Sequence, residues 1–480
     1  MSTNSITLPD ARHFPESVLV LVLGATAAVF AALIGAGHWM FPVFAGLIVF
    51  VFSAIESEPF FLAMIFLIPV GWLAKINFPL GGRDARVDFA TGARIVLVAG
   101  FFAGRIWRGQ FSLRKLFGSR IAQLSMLFAV VAVASVLFAP SGVTYGSFKA
   151  VIRLFSYIGF FEFILVWANS WERIQTIVLT ILSSAILVCV FGIIQEVVGD
   201  YTSLWLYLNP PEDWFLPMEH RVPSFLNYSN SLAAYLNLVL PAAMACCAFC
   251  RRQWQALGGV VLVLGFVTLL CTQSLGGLAA FGAVVALGIL FLIRTWKARI
   301  LICSCILAIA GCFYVYYEVL NPAHGGVSFG YDQVTRLLLW GVAWNLFTQS
   351  PVLGVGWGNF VELYGPYLKD FSFIPAGIFA THNTYLQFLT ETGIVGFVTF
   401  FVLLFQALRQ SIRQFRRPAF AMERVLAFGV IGAIVTLCVH GLVDFFFHVS
   451  PQFGTLFWTF MALLVASGDV FESPAYERAM

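Results

Sequence analysis

Charge is what this chain has least of. Only 10% of its 480 residues are Asp, Glu, Lys or Arg, against roughly 25% in an ordinary soluble domain, while 60% are hydrophobic. That balance excludes a water-soluble fold. The net charge of +4 comes from Arg and Lys in short loops and excludes a basic face built for nucleic acid. Cysteine is missing from the long polar segments. Cys189, Cys246, Cys247, Cys250, Cys271, Cys303, Cys305, Cys312 and Cys438 all lie in or beside apolar runs, where cysteine behaves as a small hydrophobe. Neither a disulfide framework nor a zinc site is therefore expected. No repeat of fixed period and no low-complexity tract is present, and the internal symmetry of many transporters is not visible. A strongly basic leader with a small-residue cleavage site is also lacking before Val18, so the first apolar run is expected to be retained.

What the chain does contain is a succession of apolar runs, each long enough to cross a hydrocarbon layer about 30 Å thick as a helix. They predict an all-α, polytopic transmembrane bundle with about 11–14 spans and no separate soluble domain. The runs lie near 17–37, 39–55, 59–77, 90–105, 121–139, 148–168, 174–198, 230–249, 255–272, 275–294, 299–319, 385–408, 425–445 and 451–468.

The basic clusters are Arg105, Arg108, Arg114, Lys115 and Arg120; Arg251 and Arg252; Arg294, Lys297 and Arg299; and Arg409, Arg413, Arg416, Arg417 and Arg424. All four fall in loops of one parity, which the positive-inside rule assigns to the cytoplasm. The expected organisation is transmembrane helices over 1–198, a periplasmic loop over 199–229, transmembrane helices over 230–319, a large periplasmic loop over 320–384 and transmembrane helices over 385–480, with both ends cytoplasmic. Arg83, Arg86 and Arg94 oppose this scheme, because they sit in a segment assigned outside.

The long break from Asn321 to His382 is the place to look for function, since long loops inside compact bundles usually serve one. Within it Leu337, Trp340, Trp344 and Phe347 recur at three- and four-residue spacing before Pro351, the pattern of an amphipathic interfacial helix. The break ends in His382-Asn383, followed after nine residues by Gly393-Ile394-Val395-Gly396. Upstream stand Arg336, Trp340 and the stretch from Ser350 to Phe360 with Gly354, Gly356 and Gly358. An earlier outer segment runs Pro223-Ser224-Phe225-Leu226-Asn227-Tyr228-Ser229-Asn230, and a late one runs His440-Gly441-Leu442-Val443-Asp444-Phe445.

Together these motifs resemble the O-antigen ligase and polymerase family, over roughly the second half of the chain. The resemblance implies a glycosyltransferase of the bacterial inner membrane, inverting and metal-independent, with no cofactor. Its donor would be a glycan on undecaprenyl diphosphate, and its acceptor a glycan or lipid A-core hydroxyl facing the periplasm. Such a donor carries its own leaving group, so the protein must supply mainly a base and cations. His382 is the natural base, because an imidazole takes up protons near neutral pH. Arg336 is the leading diphosphate ligand, since a guanidinium grips phosphate oxygens in a fork, and the resemblance implies that it is essential. Arg221, beside His220, is a second candidate cation. Lys149 and Arg153 join the candidates because ionisable groups within a span default to a functional reading; a snorkelling pair without a ligand is the other reading. Asn383, Asn227 and Asn230 complete the expected substrate-binding set.

Two further points concern the same site. His440, Asp444 and His448, four residues apart, are expected to share one helical face and to form a polar seam lining the site, or a hydrogen-bonded structural cluster, rather than a metal centre, because three ligands on one helix do not surround an ion. Where the family carries Ser-Arg-Gly at the start of a middle span, this chain has Ser274-Leu275-Gly276, which leaves Arg221 or Arg153 to stand in for the arginine.

Ligation, polymerisation and protein glycosylation remain open as outcomes, the third less favoured because no domain follows the last apolar run. The reading from another class is a transporter, such as a flippase for the same lipid-linked sugars. It would use a carboxylate deep in the bilayer, Glu162 first and Glu196 second. A catalytically inert scaffold is a third.

Overall fold

The computed structural model describes residues 49–51, 53, 54, 58–70, 75–80, 83–112, 116–202, 221–226, 228–292, 295–297, 300, 304, 327–368, 380–417, 421–448 and 450–471. Several of its helices begin where short polar side chains bond the unpaired first-turn amides. The Asp88 carboxylate accepts from Thr91 N–H at 2.8 Å and starts α2. Ser119 starts α3 in the same way, Thr144 and Ser147 form a capping box for α4, and Ser170 caps α5. Gly199 ends α5 in the left-handed conformation, as expected of a residue without a Cβ.

In chain order the described elements are α1 (Glu58–Phe66), β1 (Lys75–Leu80), β2 (Arg83–Asp88), α2 (Phe89–Trp107), α3 (Arg120–Leu137), α4 (Tyr145–Trp167), α5 (Trp171–Val198), α6 (Ser229–Phe249), α7 (Arg252–Cys271), α8 (Leu275–Leu292), α9 (Val327–Gln349), α10 (Thr384–Arg416), α11 (Ala421–His440) and α12 (Pro451–Phe471). Nine of these helices, α2 to α7 and α10 to α12, are long and apolar enough to cross a membrane, and α8 is a shorter apolar helix. The protein is therefore a polytopic helical membrane protein. Of the runs expected from the sequence, 17–37, most of 39–55 and nearly all of 299–319 lie outside the described residues.

The run at 59–77 does not form one span. Helix α1 stops at Phe66, and an antiparallel hairpin pairs Lys75 with Asp88 through Leu80 with Arg83. Pro69, three residues past the helix end, has no amide hydrogen to continue it. Hydropathy alone does not register that break.

The bundle is packed around α6, α11 and α12. α6 lies along both α11 and α7, α10 packs on α11 and α3, and α12 packs on α4. α12 is buried along almost its whole length. One cluster of buried apolar residues extends through the bundle from Phe61 to Ala466. A smaller one, formed by Leu339, Val342, Ala343, Leu346, Val355, Phe360 and Tyr364, seats α9 and the following loop.

That second cluster settles which side of α9 meets the protein. Leu339, Val342, Ala343 and Leu346 face the protein, whereas Leu337 is 62% and Trp344 55% exposed. Of the stripe that periodicity picks out, Leu337 and Trp344 point away from the bundle, and Trp340 and Phe347 are half-buried. Helix α9 is apolar on both sides, and sequence spacing does not say which apolar stripe meets protein and which meets lipid.

Arg94, one of the arginines that opposed the orientation scheme, is an interior residue of α2, only 1% exposed. It donates to Thr455 Oγ1 at 2.6 Å, to Thr91 Oγ1 at 2.9 Å and to Ser156 Oγ. The positive-inside rule counts loop charges, so a guanidinium satisfied inside the bundle carries no orientation signal. Glu162, in α4, is 5% exposed, and neither of its carboxylate oxygens has a hydrogen-bond partner.

Candidate functional site

The start of α10 is unusual in its backbone. His382 sits at φ 51°, in the left-handed region that costs a residue with a Cβ about 1 kcal/mol or more. Local bonds hold it there. Thr381 Oγ1 donates to Asn383 O at 2.7 Å and accepts from Asn383 N–H at 3.2 Å. Asn383 Oδ1 accepts from Leu386 N–H at 3.0 Å as the helix cap, while Asn383 Nδ2 donates to Leu442 O at 3.0 Å. Thr384 N–H donates to Gly441 O at 2.7 Å, and Thr384 Oγ1 donates to Asp444 O at 2.9 Å. The first turn of α10 is thus stitched to the segment after α11.

This stitching brings His382 to Asp444, with Nδ1 at 3.2 Å from Oδ1. Asp444 Oδ1 also accepts from Phe445 N–H at 2.8 Å, and Oδ2 accepts from Asn230 Nδ2 at 3.0 Å. Burial alone would raise the Asp444 carboxyl. The hydrogen bond from His382, with the fields of His382, His440 and Arg336, overrides it and brings the carboxyl down to about 2. Asp444 is then an ionised acceptor at neutral pH, so His382 Nδ1 is the donor in this bond and Nε2 is the ring nitrogen left to face a substrate. The His382 side chain remains 29% exposed, which leaves it within reach of a substrate.

Cationic side chains converge on the same point. Arg221 NH2 donates to Asn230 Oδ1 at 2.6 Å and Arg221 Nε to Thr272 O at 3.0 Å. Arg221 is thereby anchored at the turn that leads into Leu275, the position where the expected arginine is missing, and Leu275 itself is exposed. Arg336, near the middle of α9, is near enough to Asp444 for its charge to act on the carboxylate. His382, Asn383, Asp444, Asn230, Arg221 and Arg336 are therefore one neighbourhood. Asn227 lies outside the described residues.

The His440, Asp444 and His448 expectation needs correction. Helix α11 ends at His440, and the chain from Gly441 to His448 is non-helical, so the three do not share a helical face. Each meets a different partner. His440 Nε2 lies 3.4 Å from Ser274 Oγ, Asp444 meets His382, and His448 Nε2 lies 2.7 Å from Glu391 Oε2. Gly276 permits the first contact, because a Cβ there would stand 2.7 Å from His440 Cδ2.

Arg153 and Lys149 are placed differently from the other candidates. Arg153 is buried, pairs with Asp88 at 3.0 Å and donates to the backbone oxygen of His448. Burial by itself would push the Asp88 carboxyl up, but Arg153 and Arg94 with the hydrogen bonds from Thr91 hold it below the usual carboxylate range. Arg153 thus braces the backbone at His448 and the Asp88 carboxylate. Lys149 lies one turn before it on α4, half-buried.

Sequence reasoning missed the Asp88–Arg153 pair and the partners of Asp444 and His448. It also missed why the glycine motifs exist. Gly393 interrupts α10 at φ 61°, ψ −168°, and the loop after α9 repairs the break. Val355 N–H donates to Thr390 O at 2.8 Å and Gly356 N–H to Glu391 O at 3.0 Å, while Ile394 N–H donates to Pro351 O at 2.9 Å. The Ser350–Phe360 stretch and the His382–Gly396 stretch are backbone partners of each other. Asn359 pins the loop by donating to Ser141 Oγ, Gly142 O and Val355 O and accepting from Thr144 Oγ1.

Both lowered carboxyls make a stability prediction. A folded value below the ordinary 3.8 means that the ionised form is favoured in the native state, so the contribution is present above about pH 4 and is lost as pH falls through the folded value. For Asp444 that window lies between about 4 and about 2. Thermal unfolding of the purified protein in detergent is expected to show a falling Tm across this window, and Asp444→Asn to lessen the fall. An equal loss in the variant would mean that Asp444 contributes nothing to it.

Residues 260–401, a segment that includes Arg336, His382 and Glu391 and stops before Asp444 and His448, match a family model described as O-antigen ligase. No curated protein matches the chain. The matched segment covers the two motifs that repair each other at the α10 break, and the match supports assigning this part of the chain to the O-antigen ligase/polymerase family of membrane glycan-processing proteins.

Proposed function

We propose that the protein transfers a glycan from undecaprenyl diphosphate to an acceptor hydroxyl, with His382 as the base and Arg336 and Arg221 as the diphosphate ligands. One observation carries the reading. A histidine whose Nδ1 is tied to an ionised carboxylate, Asp444, opens beside Arg336, whose charge acts on that carboxylate, and Arg221, which is linked to it through Asn230.

In this scheme the acceptor O–H gives its proton to His382 Nε2 as its oxygen forms the new bond to the sugar C1. The bond from C1 to the diphosphate oxygen breaks, and its electron pair leaves on the diphosphate. Asp444 stabilises the imidazolium that results. The guanidiniums neutralise charge as it grows on the leaving group, the step that decides the barrier when the leaving group is already good. Attack opposite the departing diphosphate inverts the anomeric centre, and two guanidiniums supply the positive charge without a metal. Asn230 and Asn383 set the geometry of Arg221 and of the His382 turn. The acceptor is a growing glycan or a lipid A-core sugar. The parity of the basic loops supports a site on the periplasmic face of the inner membrane.

The test is purified protein in lipid nanodiscs with a synthetic polyprenyl-diphosphate sugar and candidate acceptors, the product and its anomeric configuration read by mass spectrometry and NMR. Arg336→Lys, which keeps the charge but loses the fork, is expected to raise the donor KM by about 10- to 100-fold, the scale of a lost charge-assisted bond. An unchanged KM would remove Arg336 from the donor site. A transporter working through buried Glu162 would instead move lipid-linked sugar across vesicles, form no product and tolerate changes at His382.

A further inference from the structure

Nine residues along α10 from His382, a second histidine–carboxylate pair lies deeper in the bundle. Three donors converge on the fully buried Glu391. His448 Nε2 reaches Oε2 at 2.7 Å, while Gln387 Nε2 at 2.8 Å and Phe360 N–H at 3.2 Å reach Oε1. With its amide nitrogen committed to Glu391, Gln387 must turn its oxygen the other way, and that oxygen accepts from Thr381 N–H at 2.8 Å. Thr381 immediately precedes His382 in the left-handed turn.

We propose that Glu391, gripped by His448, is a positioning residue for His382, acting through Gln387 and the Thr381 amide. The proposal rests on the role given to His382 above and adds what keeps its imidazole in place. An amide side chain fits either way round by shape, and only its partners choose the orientation. Glu391 makes the choice. Without it Gln387 can turn its NH2 toward Thr381 N–H, donor against donor, and the strained turn loses its outer bond. Trp357 and Phe445 hold the His448 ring on two sides, with centroids 4.4 and 4.9 Å away, so the grip on Glu391 is itself rigid.

An exchange of the two side chains tests this. Glu391→Gln alone removes the orientation signal, whereas Glu391→Gln with Gln387→Glu restores an acceptor for Thr381 N–H and an amide-to-carboxylate bond in the reverse sense. The readout is the ring-nitrogen NMR signal of His382 in protein labelled with 15N-histidine, assigned by its loss in His382→Gln and recorded without substrate. Glu391→Gln is expected to erase the distinction between a protonated Nδ1 and a bare Nε2, and the exchanged pair to bring it back. In transfer assays the single variant is expected to lose about 100-fold in kcat, the scale of a small misplacement of a catalytic group, with the donor KM unchanged, and the exchanged pair to recover. Where Glu391→Gln does not fold, Gln387→Met removes the same acceptor and carries the same expectation. The proposal is overturned by a His382 signal unchanged in the single variant, or by one lost in both the single and the exchanged variants while both remain folded. Because the signal is read in the absence of substrate, its result is separate from whether glycan transfer is the reaction.

Discussion

Protein carrying His382→Ala is expected to reach the membrane at the wild-type level and to lose roughly 100- to 10,000-fold in transfer rate, the usual contribution of a positioned general base. The expectation of normal abundance comes from the placement of the ring. His382 is 29% exposed and touches the bundle through Asp444, while the helix start is held by Thr381, Asn383 and Thr384, none of which is altered. Loss of product at normal protein level, with donor KM near wild type, is the pattern of a group that acts in the transition state. Wild-type turnover in this variant would end the proposed chemistry, whatever the family.

Gly393→Ala is expected to have the largest effect on folding. The residue has φ 61° and ψ −168°, a region open in practice to glycine alone and costing other residues about 1–3 kcal/mol. Space is also absent, since a Cβ there would stand 2.2 Å from Val352 O and 2.4 Å from Val352 C. These are backbone atoms of the loop that repairs the α10 break, so relief of the clash would separate Ile394 N–H from Pro351 O and Val355 N–H from Thr390 O. The variant is expected to be scarce in membranes and to unfold at lower temperature in detergent. Gly341→Ala is the control. Nothing lies within 4 Å of a Cβ at position 341 in α9, and alanine in a helix interior is favoured by about 0.5–1 kcal/mol over glycine, so Tm is expected to hold or rise. Equal losses in the two variants would remove the backbone-repair explanation of the motif.

The two experiments also mark how far sequence reading reached into the site. His382, Asn383 and Arg336 were recognisable because motifs and a lone long break in the hydropathy point to them. The spacing of the motif announced Gly393 without saying what the glycine was for, since its reason lies in Val352, about forty positions earlier. Helix α9 was foreseen as an amphipathic helix, but periodicity left open which residues it turns toward the bundle, and these are Leu339, Val342, Ala343 and Leu346. His440, Asp444 and His448 had the right spacing for one face and the wrong conformation, because α11 stops at His440.

A chain with this little charge and this many long apolar runs can satisfy its backbone in lipid only as helices, and that physical constraint is local enough to be read directly from composition and order. Partnership between polar groups is not local. His382 meets Asp444 and Glu391 meets His448 across 62 and 57 residues, and Arg153 meets Asp88 across 65. Each pair depends on how helices lie against one another, so only the folded bundle decided which cations brace the scaffold and which gather around the imidazole.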